Sequence, residues 1–125
     1  MTTDALFSAI KKVGSQVEAD EPISPKQLSR EDVDLMYTMA HGLYTAGDYR
    51  AAKQLFRQLV VSKPLEQKHW TGLGSTLQME MSYEEALTAW SMSALMDSGD
   101  AQPHFHAAEC LFSLNQKEEA LKALD

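Results

Sequence analysis

His104, His106, Glu109 and Cys110 lie within one short stretch and are the side-chain types that bind zinc. A closed zinc site needs more of them to converge than this stretch allows. On a helix His104 and His106 point roughly 200° apart, and only His106 and Cys110, four apart, share a face. Two ligands do not hold the metal, so none is expected, and Cys110 reads as a small packed hydrophobe. Glu84-Glu85 and Glu118-Glu119 supply adjacent carboxylates. Their recurrence fits the first turns of two helices, where carboxylates face solvent and offset the helix dipole. No nucleophile elbow, phosphate-cradling loop or Gly-rich dinucleotide fingerprint occurs. Neither enzymatic chemistry nor a cofactor is expected.

The noncovalent chemistry of aromatic rings remains, and its meaning depends on the elements that carry Tyr37, Tyr44, Phe105 and Phe112. Those elements repeat. Steps of 34 residues align Ala52, Ala86 and Ala120; Leu43, Leu77 and Leu111; Ala40, Gly74 and Ala108; and Phe56, Trp90 and Leu124. Looser columns hold Met36, Trp70 and His104, and Met39, Leu73 and Ala107. Small and large apolar residues at that period mark a helix-turn-helix solenoid of the tetratricopeptide type. The small residues let paired helices approach to about 8–10 Å, and the large ones, Trp70 and Trp90 among them, fill the layers between.

The fold expected is therefore all-α, with three such repeats at about 33–66, 67–100 and 101–125, the last incomplete. Helices are placed at about 30–46, 49–62, 67–80, 83–96, 101–114 and from 117 onward. Ser29-x-x-Asp32 resembles a capping box for the first of them. Gly47 and Asn115 suit the left-handed corner between paired helices, whereas Met81 does not, so the middle corner is expected to differ. Asp48, Ser82 and Gln116 stand where they can cap the next helix. Ahead of the repeats, residues 1–28 form a separate unit. Leu6, Ile10, Val13 and Val17 make one apolar helical face over about 3–17, a docking or dimer face, and the acidic, Pro22- and Pro25-containing segment after it is a linker.

Composition narrows the partners. With 125 residues and 44% hydrophobic side chains the chain can form one thin, continuous core. A net charge of −7 argues against nucleic acid, whose binders concentrate Lys and Arg. The single cysteine fits a reducing compartment, and no apolar run is long enough to cross a bilayer or to serve with its flanks as a secretion signal. A cytoplasmic protein that does not insert in membranes is expected.

Packing columns leave one face of each repeat's first helix free, and in such solenoids these faces line a concave surface. In the first repeat they carry Tyr37, His41 and Tyr44, in the second Thr71, Ser75 and Gln78 with Met79 beside them, and in the third Phe105, Glu109 and Phe112. Lys68 is the basic residue among the inward positions. Spacings of three and four keep each set on one side of its helix. Aromatics flanking a polar middle suit an extended peptide, since Tyr buries a ring while its hydroxyl stays wet. The alternative is that these rings pack against the N-terminal helix or another chain.

The segment Pro103-His104-Phe105-His106-Ala107-Ala108-Glu109-Cys110-Leu111, with Tyr44-x4-Tyr49-x2-Ala52-x3-Phe56 and Leu73-Gly74, resembles the class II chaperones of bacterial type III secretion, over about residues 28–125. That resemblance implies three tandem repeats after an N-terminal helix that contributes to a homodimer. It also implies a groove for a Pro-x-Leu-x-x-Pro segment of hydrophobic translocator proteins. It places Tyr37, Tyr44, Tyr49, Phe56 and Phe105 at aromatic positions of the groove and its walls. His41 and Thr71 depart from the larger side chains of relatives, which alters pocket shape and client. Relatives continue with further helix beyond the third repeat, so either a shortened chain or an open end covered by the N-terminal helix or a partner is expected.

The resulting expectation is an ATP-independent cytoplasmic chaperone that keeps translocators soluble and apart before secretion. The alternative is a structural scaffold or adaptor subunit of a secretion or pilus assembly. A carboxylate-clamp module is disfavoured, because a clamp generally needs more basic residues than Lys68.

Overall fold

The computed structural model describes residues 28–124, and every described element is a helix: α1 Arg30–Thr45, α2 Tyr49–Ser62, α3 Gln67–Met79, α4 Tyr83–Met96 and α5 Gln102–Ala123. The expected helix at 3–17, its face of Leu6, Ile10, Val13 and Val17, and the linker up to residue 27 lie outside the described residues. Among the described residues no helix is long and apolar enough to cross a membrane.

The capping box forms at the start of α1. Ser29 Oγ accepts from the Asp32 amide at 3.1 Å, and the Asp32 carboxylate accepts from the Ser29 amide at 3.3 Å. At the α1–α2 corner Gly47 takes φ 86°, its amide bonds the Tyr44 carbonyl at 3.0 Å, and the Asp48 amide bonds the Leu43 carbonyl at 2.9 Å. This pair of hydrogen bonds ends the helix and releases the chain for the next one. Asp48 then caps α2 through the Ala51 amide. The α3–α4 corner repeats the pattern: Met81 bonds the Gln78 carbonyl at 3.0 Å and Ser82 the Leu77 carbonyl at 2.9 Å. Met81 enters the left-handed region at φ 62°, so the corner does not differ locally; a non-glycine residue bears the conformation. Ser82 makes no side-chain cap bond.

Each helix packs on its neighbours in sequence, and α1 also meets α3, the tetratricopeptide arrangement. The small columns are where the paired helices close. Ala40, Ala52, Gly74 and Ala86 are buried, and a Cβ added to Gly74 would sit 2.9 Å from the Trp90 ring. Met36, Phe56, Leu59, Leu77 and Trp90 fill the layers. Trp70 is only half-buried, its indole donating to the Pro64 carbonyl at 2.7 Å.

The third corner is absent. Helix α5 runs unbroken through Asn115 and Gln116 to Ala123 instead of turning back. Asn115-Gln116-Lys117-Glu118-Glu119 contains no glycine or proline to stop the ladder and is mostly made of good helix formers. Among the described residues no helix returns over the third-repeat columns. Ala108, Leu111, Ala120 and Leu124 are exposed where their counterparts in the earlier repeats are buried or half-buried.

Candidate functional site

The faces left free on α1 and α3 meet in a groove. Tyr37, His41 and Tyr44 from α1 and Thr71 and Ser75 from α3 line a cavity of 320 Å³, with Phe56 of α2 beneath them. A second cavity of 160 Å³ adjoins it across Tyr44 and Ser75, which belong to both. Its other walls are Gln78 and Met79 from α3, Trp90 from α4, and His106 and Glu109 from α5.

Close packing shapes the larger cavity. The Phe56 ring, buried and edge-on to Tyr37 at 6.1 Å, lies directly under Gly72, where any Cβ would collide with it. Glycine at 72 thus lets α3 settle onto the ring, so the cavity floor is aromatic and flat. Lys68 Nζ stands 4.6 Å above the Tyr37 ring, a cation–π contact that keeps a positive charge at this end. Tyr44 is braced by Tyr49 at 5.5 Å, and burial first, then the Tyr49 charge, pushes the Tyr44 phenol up from its ordinary value. Thr71 is tied by its hydroxyl to Ser93 at 2.9 Å.

The smaller cavity is built on a hydrogen-bond chain. Trp90 Nε1 donates to Gln78 Oε1 at 2.9 Å, Gln78 Nε2 donates to Glu109 Oε1 at 3.2 Å, and His106 Nδ1 lies 2.6 Å from the same oxygen. His106 also stacks on Trp90 at 4.5 Å. The hydrogen bonds from His106 and then Gln78 hold the Glu109 carboxyl below its ordinary range.

Of the residues singled out in the sequence, Tyr37, His41, Tyr44, Phe56, Thr71 and Ser75 come together in the first cavity, and Ser75, Gln78, Met79 and Glu109 in the second. Tyr49 reaches the site through Tyr44. Phe105 and Phe112 line neither cavity; both are exposed on α5, with Phe105 edge-on to His106. Sequence reasoning missed Gln67 and Gly72, and it assigned Trp90 to packing and His106 to a weak metal motif. Only the Cβ-free approach of Gly72 to Phe56 and the bonds of Trp90 and His106 to α3 and α5 reveal their part. Cys110 is buried, its thiol pushed up by desolvation and then by the Glu109 charge. Among the described residues no three His, Cys, Asp or Glu side chains are grouped as metal ligands would be.

The low calcium response locus protein H of Yersinia pestis is 31% identical to this chain over 98 residues, which are 78% of this chain and 58% of the relative. The chain therefore spans 58% of the length of the curated relatives it matches. The solved Yersinia enterocolitica type III secretion chaperone SycD, in complex with a peptide of the translocator YopD, is similar at a TM-score of 0.68 and 32% identity, over 74% of this chain and 70% of that one. PcrH of Pseudomonas aeruginosa, solved with the chaperone binding region of PopD, is similar at a TM-score of 0.69 and 33% identity, over 70% of this chain and 66% of that one. No protein-family profile matches the chain.

Proposed function

We infer the function from one premise: this chain belongs to the translocator chaperones of bacterial type III secretion. We propose that it is a cytoplasmic, ATP-independent chaperone that takes an extended apolar segment of a translocator protein into the groove between α1, α3 and α5. The observation that carries this reading is the pair of adjoining cavities joined at Tyr44 and Ser75. An extended chain advances about 3.3 Å per residue and sends alternate side chains to the same side. Neighbouring pockets with aromatic walls can therefore seat side chains of one segment in succession. Solved relatives carrying translocator segments, YopD on SycD and PopD on PcrH, support the same reading. Burying the segment keeps the translocator soluble without any bond made or broken, so no catalytic step enters. Self-association through Leu6, Ile10, Val13 and Val17 belongs to the proposal, and SycD has been solved in an alternative dimer.

Titration calorimetry with a peptide containing a Pro-x-Leu-x-x-Pro segment tests it. Tyr44→Ala is expected to weaken binding by about 1–4 kcal/mol. Because Tyr44 is half-buried at the rim, circular dichroism and the melting midpoint should stay near wild type. Unchanged binding would remove the groove as the site, and loss of fold would make Tyr44 a core residue instead.

A further inference from the structure

We propose that Glu109 makes the smaller cavity selective for a basic side chain on the bound segment, close in sequence to an apolar side chain seated in the larger cavity. This rests on the groove reading and adds the client's charge pattern to it.

Both donors that fix Glu109, Gln78 Nε2 and His106 Nδ1, converge on Oε1, whereas Oε2 receives no hydrogen bond among the described residues. The carboxylate is held in place before any ligand arrives. Gln78 is committed at both ends, to Trp90 and to Glu109, and the imidazole is stacked on Trp90. The hydrogen bonds from His106 and then Gln78 favour the negative charge of the Glu109 carboxylate. No Lys or Arg lines this cavity; Lys68 stands in the larger one, over Tyr37. A lysine thus stands at one end of the groove and a carboxylate, hydrogen-bonded by His106, at the other.

The rest of the smaller cavity suits a long cationic side chain. Tyr44, half-buried on the wall shared with the larger cavity, offers an aromatic ring that attracts a cation, and Met79 offers an adaptable thioether for an alkyl stem. The 160 Å³ of space equals the share of about five water molecules, enough for one such side chain and too little for a second segment.

Fluorescence anisotropy with labelled peptides tests the assignment. The set shares a Pro-x-Leu-x-x-Pro frame in which Lys, Gln or Glu is walked through each variable position. At one position near the leucine, the Lys peptide should bind wild type about threefold to tenfold tighter than the Glu peptide, the range of a partly exposed ion pair in a groove. Glu109→Gln should abolish that preference, and Glu109→Lys should reverse it, with unchanged helical ellipticity. Equal affinities at every position, or a preference that survives Glu109→Gln, would overturn the assignment while leaving the groove reading intact. Failure of every peptide to bind would overturn both.

Discussion

Met81 and Gly47 occupy the same step of two equivalent corners, and only glycine takes that step freely. A left-handed conformation costs a side-chain-bearing residue roughly 1–2 kcal/mol, partly offset because glycine loses more entropy on folding. Met81 is 71% exposed and returns little of that through packing. Met81→Gly is expected to raise the unfolding free energy by about 0.5–1 kcal/mol in urea titrations, with no change in slope; a destabilised variant would mean that the Met81 side chain contributes to packing at the corner. The opposite logic governs Gly72 and Gly74, where the absent side chain leaves room for the Phe56 and Trp90 rings. The first corner announces itself through glycine, but nothing in the sequence reveals that methionine adopts the same backbone.

Helix α5 departs most from the repeat. Its first half packs on α4 as the register demands, with Pro103 and Cys110 buried. Its second half continues past the end of the layer, leaving a cleft of 510 Å³ between Leu114, Leu121 and residues Met81 to Glu85 of the α3–α4 corner and the first turn of α4. Gln116→Pro would clash with the carbonyl of Phe112 and break the helix there. Since Ala120, Leu121 and Leu124 are exposed, the expected result is some loss of helical ellipticity with stability reduced by no more than about 1 kcal/mol. A larger fall in the melting midpoint would show that the extension is docked.

Across the whole array, stability should respond to acid through His69. This ring, on α3, is fully buried against the end of α2, with Nδ1 3.2 Å from the Lys63 carbonyl and no hydrogen-bond partner of good distance and angle for Nε2 among the described residues. Desolvation is the largest influence and lowers its pKa in the folded state, outweighing the backbone bond to Lys63. The unfolded chain therefore takes up the proton first as pH falls. Stability is full above an ordinary histidine value of about 6.5 and declines as pH drops from there toward the folded value. Denaturation series between pH 7.5 and 5.5 should show this loss in wild type and not in His69→Gln. A persisting loss would assign it to other groups. Glu109 acts in another window: with its folded pKa lowered from 4.5, its contribution is present above that value and goes only in stronger acid.

Period and residue size alone determine the α1–α4 hairpins, because a two-helix unit can close only with small residues at Ala40, Ala52, Gly74 and Ala86. Spacings of three and four likewise make the inward faces of Tyr37, His41 and Tyr44, and of Thr71, Ser75 and Gln78, legible, since a helix puts such residues on one side whatever it packs against. Tertiary structure decides the rest. Phe105 and Phe112 match the inward register yet line neither cavity, and Trp90 and His106, read for packing and for metal, become walls of the smaller one. Whether a register position is covered, open or part of a cavity depends on which helix lies against it. In α5 that is decided by a corner that does not form, a competition between local helix propensity and a packing partner that no single position records.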